Sequence, residues 1–297
     1  MDMALEVKGL CKSYADFSLK DVSFSLPKGA IMGFIGQNGA GKTTTIKAIL
    51  NITGRSAGDI KIMGLDNLKD EYAAKEKIGV VFDDLCFHDT LNIKHINKIF
   101  KGVYKSWDEE IFYKYIKRFS LPSKKKVKEL SRGMRMKLSI AAALSHNAKL
   151  LLLDEPTSGL DPIVRNEILD VFMEYVQDEE NSILLSSHII SDLEKIADYI
   201  TFIDDGRILL ADSKDSILDN HKMIKCGEAE ISQIEKTDIV FIKKYNYYCE
   251  VLVKNAAHKY VNLTEEKAGI EDIMLFYASA GKGAEDAGSH LKRFICD

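Results

Sequence analysis

The chain has 297 residues, of which 46% are hydrophobic and 29% are charged, and its formal net charge is −4. This composition fits a soluble globular protein of about two domains, and the acidic balance gives no general attraction for nucleic acid. The longest apolar runs, about six residues, are far shorter than the roughly 20 residues of a membrane helix, and the N-terminus lacks the apolar core of a signal peptide.

The cysteines are scattered along the chain without a CxxC pair. They are Cys11, Cys86, Cys226, Cys249 and Cys296. An odd, dispersed set favours reduced thiols over a disulfide framework or a zinc site. We therefore expect a cytoplasmic protein, which would be peripheral on the inner face of the cell membrane only through a partner.

A glycine-rich stretch follows two strand-like runs between Leu5 and Leu26 and a short buried strand over Ile31–Ile35. The stretch fits GxxxxGK[ST] at every fixed position and runs into a helical pattern. Its residues are Gly36, Gln37, Asn38, Gly39, Ala40, Gly41, Lys42 and Thr43, with Thr44 next in the helix. Inward-facing backbone N–H groups and the positive end of that helix would bind phosphate.

This loop predicts a nucleotide site. Lys42 is expected to reach the β- and γ-phosphates, and the Thr43 hydroxyl is expected to bind Mg²⁺. The alternative is a glycine-rich turn that carries a lysine by chance, which the preceding strand and the following helix disfavour.

From residue 85 to about 145 the apolar spacing becomes helical, and Asp108 is the predicted N-cap of one of these helices. Strand-like runs stand on both sides of this region: Ile78–Phe82 before it, and Leu150–Leu153, Ser182–Ser186 and Tyr199–Ile203 after it. Continuous apolar strands separated by helices predict a parallel sheet covered on both faces.

Two carboxylates, Asp154 and Glu155, follow the apolar run Leu150–Leu153. Ligands bind at the carboxyl edge of an open parallel sheet. Downstream of a phosphate-binding loop, the pattern predicts that Asp154 holds Mg²⁺, directly or through water, and that Glu155 polarises water. Taken alone the run is a weak signal, because buried strands commonly end in acidic residues.

After Arg207 the pattern changes. Predicted strands at Met223–Cys226, Ile239–Lys243 and Tyr247–Val253 precede a predicted helix at Gly269–Ala280. We expect a first domain of residues 1–215, with a helical subdomain at about 85–145. A small α+β accessory domain of residues 216–297 would end in a flexible, glycine-rich tail. No pattern in this second domain points to a chemistry.

Several further segments have the order and spacing of one known family. The signature segment, Leu130-Ser131-Arg132-Gly133-Met134, stands just before a helix and resembles the LSGGQ signature of ABC-type ATPases. The segment Pro156–Asp161 resembles that family's D-loop, His188 its switch histidine, and Tyr14 the aromatic residue that stacks on adenine. The agreement extends from about residue 4 to residue 215. The pattern is most similar to the ATPase subunits of bacterial ABC exporters that remove drugs and antimicrobial peptides.

The resemblance implies a fold and an assembly. The fold is an α/β P-loop NTPase core with a helical subdomain, to which this chain adds the small C-terminal domain. The assembly is a head-to-tail dimer of two ATPase subunits, either identical copies or close paralogues. Each ATP would touch Lys42, Thr43 and Asp154 of one copy and Ser131 and Gly133 of the other.

The resemblance also implies roles for three other residues. Glu155 would act as the base or orient the attacking water, His188 would contact the γ-phosphate, and Asp161 would communicate across the dimer. A serine hydroxyl, a glycine N–H and a helix N-terminus all bind anions, so the implied arrangement is chemically reasonable.

Two parts of the sequence depart from the family pattern. Asp83 stands where the family has glutamine; a carboxylate still offers oxygen to Mg²⁺ or water, with a shorter reach and an added charge. We expect Asp83 to be the working substitute and a metal-site residue, with Asp84 the weaker candidate. In the signature segment, Arg132 replaces the first glycine and Met134 replaces the glutamine. Because Ser131 and Gly133 remain, the segment is expected to close on ATP with an altered affinity or rate.

A transport ATPase without a membrane span requires a separate transmembrane permease. The family docks that partner on the segment from about Leu85 to Leu121. Apolar and aromatic residues there could form the groove: Phe87, Ile99, Phe100, Tyr104 and Trp107. Packing inside the helical subdomain is the better explanation for most of them.

The main alternative is a non-transport regulatory ATPase of the same superfamily. A chromosome or repair machine would need a long coiled coil between Lys42 and Ser131, where only about ninety residues and no sustained heptads lie. Translation factors of this superfamily normally carry two cassettes, and a small-molecule kinase would leave the signature segment and the D-loop unexplained. The sequence therefore predicts an ATPase that powers export, with no nucleic-acid partner.

Overall fold

The computed structural model describes residues 2–83, 87–254, 259–260 and 262–282, and the chain divides into two compact units, Met1–Ala211 and Asp212–Asp297. Asp84, Leu85 and Cys86, and the predicted tail with Cys296, lie outside the described residues, apart from the backbone of residues 281 and 282. In the described part of the chain, no helix has the length and apolarity needed to cross a bilayer.

The first unit alternates strands and helices. Its elements in chain order are β1 (Met3–Ser13), β2 (Ser18–Pro27), β3 (Ile31–Ile35), α1 (Lys42–Ile49), β4 (Ala57–Ile62), β5 (Leu65–Asp66), α2 (Glu71–Glu76), β6 (Ile78–Val81), α3 (Ile93–Val103), α4 (Glu109–Arg118), a 3₁₀ turn (Val127–Glu129), α5 (Arg132–Ala143), β7 (Leu150–Asp154), α6 (Pro162–Tyr175), β8 (Ser182–Ser187), α7 (Ile190–Ile196), β9 (Tyr199–Asp204) and β10 (Arg207–Ser213).

The central sheet of this unit has the strand order β10-β9-β3-β8-β7-β6. The pairs β3–β9, β3–β8, β8–β7 and β7–β6 are parallel, which confirms the predicted parallel sheet. The register sets Asp154 opposite Ser186, and Ile35 opposite Ser187. The glycine loop, the acidic pair and His188 therefore all leave the sheet at the same carboxyl edge.

A second sheet, with the antiparallel pairs β2–β1, β1–β4 and β4–β5, packs on the first. Its alternating residues Val7, Phe24 and Ile60 share one hydrophobic core with Phe34 of the parallel sheet. The rings of Phe24 and Phe34 stack with centroids 5.3 Å apart. This apolar layer fixes β3, and with it the start of the glycine loop.

The helical region between β6 and β7 contains α3, α4 and α5. Asp108 caps α4 as predicted, because its Oδ1 accepts from the backbone N–H of Glu110 at 2.8 Å and of Ile111 at 2.9 Å. Phe112 and Ile116, at helical spacing, are the buried residues of α4. This region follows β6 along the chain, and α5, which begins within the signature segment, leads on into β7.

The second unit is built on an antiparallel sheet. Its elements are α8 (Lys214–Asn220), β11 (His221–Cys226), a 3₁₀ turn (Glu228–Gln233), β12 (Ile239–Lys244), β13 (Cys249–Lys254), β14 (Thr264–Lys267) and α9 (Ile270–Lys282), with the sheet order β12-β13-β11-β14. Ile224, Ile242 and Val251 lie in its own hydrophobic core. The three described cysteines are free, and two of them, Cys226 and Cys249, are opposite each other on β11 and β13.

Candidate nucleotide-binding site

The glycine loop turns sharply into α1 at Gly41. Its φ of 114° lies in the left-handed region, and a Cβ there would approach Leu19 Cδ2 to 2.7 Å and Phe17 Cζ to 2.9 Å. Only glycine is free of both penalties at this position. Among the described residues no side chain caps α1, so its first-turn N–H groups and positive dipole end face the loop.

Lys42 lies inside the loop. Its side chain is 6% exposed, and its Nζ donates to the carbonyl oxygens of Gly36 at 2.7 Å and Gln37 at 3.3 Å. The same ammonium lies 3.2 Å from Glu155 Oε1. A buried cation held by carbonyl and carboxylate oxygens is positioned to attract further anionic oxygen.

Thr43 and Asp154, two of the three residues predicted for Mg²⁺, are in contact. Thr43 Oγ1 donates to Asp154 Oδ2 at 2.7 Å, while Ser186 Oγ donates to Asp154 Oδ1 at 2.6 Å. Asp154 is 4% exposed, so these two hydroxyls stabilise a carboxylate that has little access to water. Ser186 was not among the predicted site residues. It can be assigned to the site only when the pairing of β7 with β8 is known, because that pairing sets it opposite Asp154.

Glu155 lies between Lys42 and His188. Its Oε2 is 2.6 Å from His188 Nδ1, and its backbone N–H donates to both the carbonyl and the hydroxyl oxygen of Ser186, each at 3.1 Å. The backbone φ of Glu155 is 53°, a left-handed conformation that costs a non-glycine residue about 1–3 kcal/mol. The bonds to Ser186 hold this conformation, which directs the carboxylate toward Lys42 and His188.

The side chains of Lys42, Thr43 and Asp154 fit Mg²⁺ and a nucleoside triphosphate. Thr43 and Asp154 offer adjacent hydroxyl and carboxylate oxygens, the ligand types that Mg²⁺ prefers. Lys42 and the uncapped N-terminus of α1 offer positive charge and N–H donors for phosphate oxygens. The polar groups converge from β3, β7 and β8, so the fit does not depend on one loop alone.

Tyr14, predicted to stack on adenine, lies between β1 and β2. It is 49% exposed, its hydroxyl is 3.1 Å from Thr53 Oγ1, and the Lys12 ammonium is 5.1 Å from its ring centroid. The ring is thus held at one end and accessible over about half its surface. Its role with adenine stays a prediction.

The predicted signature residues cap and pack the start of α5. Ser131 is the N-cap residue, and its hydroxyl accepts from Met134 N–H at 3.3 Å. A Cβ on Gly133 would lie 3.4 Å from Val164, so the signature helix packs closely against the start of α6. Asp161 accepts from the N–H groups of Ile163 and Val164 as the N-cap of α6; its predicted communication across a dimer stays a prediction.

The Asp83 carboxylate is bonded to the signature segment, whereas Thr43 and Asp154 are bonded to each other. Its Oδ1 accepts from Arg132 Nη2 at 2.5 Å, and both side chains are about half exposed. Two of the three residues that depart from the family pattern, Asp83 and Arg132, therefore form an ion pair with each other. No sequence pattern indicates this contact, because the two residues are 49 positions apart.

The aromatic residues of the helical region stack on one another. Phe100 contacts Phe87, Tyr104 and Trp107 with centroid distances of 5.9, 5.8 and 5.3 Å, and Tyr104 stacks on His146 at 4.0 Å. Burial lowers the pKa of His146, which keeps the imidazole neutral at the bottom of this stack. A cavity of about 170 Å³ lies beside it, lined by Phe82, Phe87, Phe100, Tyr104 and His146 among others. Packing and a small open groove thus coexist here.

Comparison with known proteins gives consistent similarities. The sequence profile of the ABC transporter family matches residues 19–158. The ABC transporter ATP-binding protein YtrB of Bacillus subtilis is 33% identical over 190 residues, which cover 64% of this chain and 65% of that protein. The lantibiotic transport ATP-binding protein SrtF of Streptococcus pyogenes is 32% identical over 247 residues, covering 81% of this chain and 99% of that protein.

Solved structures agree with the fold. The ATP-binding subunit of an ABC transporter superposes with a TM-score of 0.65 at 26% identity, covering 72% of this chain and 91% of that one. A dimeric ATP-binding cassette in a post-hydrolysis state, bound to ADP and Pi, superposes with a TM-score of 0.63 and covers 70% of this chain and 98% of that one. At 20% identity this second likeness concerns the fold alone.

Proposed function

The chain belongs to the ABC transporter family as an ATP-binding and ATP-hydrolysing subunit, and on that premise we propose that it powers export of a peptide antibiotic through a separate membrane subunit. The observation that carries the proposal is the convergence of Lys42, Thr43, Asp154, Glu155 and His188 at one sheet edge. This edge has the groups for hydrolysis, and the similarity to the lantibiotic transport ATP-binding protein SrtF supports the class of cargo.

The chemistry follows from the positions of the side chains. Bound Mg²⁺ would neutralise the charge that develops on the transferred phosphoryl group. Thr43 and Asp154 would hold the metal, and Lys42 would bind the phosphate oxygens that replace the carbonyls of its own loop. Glu155, directed by its left-handed backbone and by the contact with His188 at 2.6 Å, would orient a water molecule and accept its proton.

The signature segment would act on the nucleotide of a second copy. Ser131 lies at the N-terminus of α5 with its hydroxyl on Met134 N–H, and is exposed. An exposed helix N-terminus with a hydroxyl is suited to a phosphate brought by another molecule. We therefore favour a head-to-tail dimer in which ATP closes two copies, or this chain and a close paralogue.

The membrane subunit would dock on the aromatic groove beside α3. Ile99 and Val103 of α3, the helix that also carries Phe100, are exposed at 46% and 64% and add apolar surface to this helix. A short amphipathic helix from the permease would bury these side chains, since a groove of aromatic residues is suited to apolar anchors. The cavity is also lined by Val80 and Val81 of β6, so docking there would act on the strand that leads to Asp83.

The test is protection of a sensitive bacterium. The chain would be expressed together with the membrane subunit that purifies with it, and survival would be measured against a lantibiotic and against an unrelated antibiotic. We expect wild type to raise survival against the lantibiotic and Glu155→Gln to give none of that gain. Equal survival with wild type and Glu155→Gln would contradict transport while leaving ATP hydrolysis in place.

A further inference from the structure

Arg132, a residue of the signature segment, contacts both Asp83 after β6 and Gly159 of the D-loop. It is the first residue of α5, its Nη2 is 2.5 Å from Asp83 Oδ1, and its guanidinium lies over the D-loop glycine. A Cβ added to Gly159 would be 3.0 Å from Arg132 Nη1 and 3.2 Å from Cζ. Gly159 also has a φ of 66°, which favours glycine for a second reason.

The charges explain why Arg132 and Asp83 belong together. A cation at the N-terminus of a helix opposes the helix dipole, and α5 has no acidic residue in its own first turn. Asp83, which follows β6, supplies that negative charge from outside the helix. Conversely, Arg132 neutralises a carboxylate that would otherwise add negative charge beside a site for phosphate.

We propose that Arg132 is a positioning residue whose ion pair with Asp83 links the N-terminus of α5 to the end of β6. The pair neutralises the positive charge of Arg132 at the helix N-terminus and the negative charge of Asp83 after β6. The inference rests on the proposed nucleotide chemistry of Asp83 and the signature segment. Release of the pair would leave the negative charge of Asp83 without its counter-ion and would make the guanidinium available to a phosphate at the N-terminus of α5. An exposed pair is suited to release, because it changes an equilibrium by only about two- to fivefold.

The first test needs no nucleotide. Hydrogen exchange of the first-turn amides of α5 would be measured in wild type, Asp83→Asn, Arg132→Met and the double variant. Asp83→Asn leaves Arg132 unpaired at the helix N-terminus, so we expect exchange to rise about two- to fivefold in the wild-type background. In the Arg132→Met background the same change should have no effect. An equal rise in both backgrounds would overturn the proposal.

The second test separates KM from kcat for Mg-ATP. Arg132→Met leaves the Asp83 carboxylate unpaired, so we expect KM to rise about two- to fivefold, an effect that shrinks at high salt. In the Asp83→Asn background, where there is no carboxylate to leave unpaired, Arg132→Met should leave KM at the value of Asp83→Asn alone. An equal rise of KM in both backgrounds would overturn the proposal.

A matched control is available on the same helix. Lys137 forms an ion pair with Glu167 at 2.6 Å, away from Asp83 and Gly159 in its contacts. Lys137→Met should leave both the KM and the effect of Asp83→Asn unchanged; coupling as large as that of Arg132 would assign the result to α5 in general and overturn the proposal. Wild type that fails to hydrolyse ATP would instead contradict the proposed function, while the exchange experiment would still decide on the pair.

Discussion

The two halves of the nucleotide site differ in how they are held. In the half formed by the glycine loop and the acidic pair, the buried side chains of Asp154 and Ser186 are bonded to each other, and buried Lys42 is bonded to the carbonyl of Gly36. In the half formed by the signature segment, Ser131, Arg132 and Asp83 are exposed, and their polar contacts lie at the surface. The first half is fixed before any ligand arrives, whereas the second can exchange partners.

This contrast sets the size of the expected mutational effects. Buried polar groups act in a low dielectric, and removing one leaves its partner unsatisfied. Exposed pairs are screened by water and salt, so removing one changes little unless a specific neighbour depends on it. Substitutions should therefore be severe at the sheet edge and moderate at the signature segment.

The largest effect is expected for Lys42→Ala. Loss of the ammonium removes the cation for phosphate and leaves Glu155 beside no lysine, so ATP turnover should fall by about 10²–10³-fold. Lys47→Ala is the control, since Lys47 is exposed in the last turn of the same helix. Steady-state phosphate release would measure both. Turnover of Lys42→Ala within threefold of the control would contradict the assignment of the loop.

A smaller effect is expected for Asp154→Asn. The amide keeps the shape and can still bond Thr43 and Ser186, but it loses the charge that attracts Mg²⁺. We expect the Mg²⁺ concentration for half-maximal turnover to rise about 10- to 100-fold. Asp170→Asn, on the exposed side of α6, is the control. A metal requirement that does not move would remove Asp154 from the metal site.

Gly159→Ala should lower the free energy of unfolding and displace the Arg132 side chain. The left-handed φ alone destabilises an alanine by roughly 1 kcal/mol, and the new Cβ must also displace the guanidinium. Gly64→Ala is a matched control, because Gly64 has a φ of 79° with nothing within 4 Å of its Cβ. Thermal unfolding should show the larger loss for Gly159→Ala, and Arg132→Met should remove the difference. Equal losses for the two alanines would show that Arg132 does not lie over the D-loop.

The smallest effect is expected for Ser131→Ala in the isolated chain. Loss of an N-cap hydroxyl costs about 1 kcal/mol, less at an exposed and weakly bonded position such as this one. Thermal unfolding would measure it. The same variant should weaken ATP-driven closure more than it weakens folding; if unfolding changes and closure does not, the serine is a cap and nothing more.

Sequence patterns predicted the strands that carry the buried half, but not the contacts of Ser186 with Asp154 or of Asp83 with Arg132. The apolar strands Ile31–Ile35 and Leu150–Leu153 predicted β3 and β7 within one residue, because continuous apolar runs next to glycine or acidic residues have few other structures. The pairing of Asp83 with Arg132 depends on the path from β6 to α5, and no local pattern encodes it. Sequence reasoning also missed β4, β5 and β14, which are short or largely polar.

The second unit illustrates the same limit. Its strands β11, β12 and β13 were predicted to within two residues, because alternation of apolar and polar side chains is local information. The helix predicted over Gly269–Ala280 became Ile270–Lys282. No pattern in the sequence of this unit indicated a cluster of reactive or ligand-binding groups, so local patterns predicted its strands but not its function.

The central claim is that ATP closes two copies on the paired halves of the site, and Glu155→Gln tests it most directly. The variant keeps the shape and removes the charge that activates water, so it should bind Mg-ATP without hydrolysing it. Light scattering should then show a dimer with Mg-ATP and a monomer without it, while wild type returns to monomer as ATP is consumed. A Glu155→Gln protein that stays monomeric with Mg-ATP and still hydrolyses it would contradict both the closure and the role of Glu155.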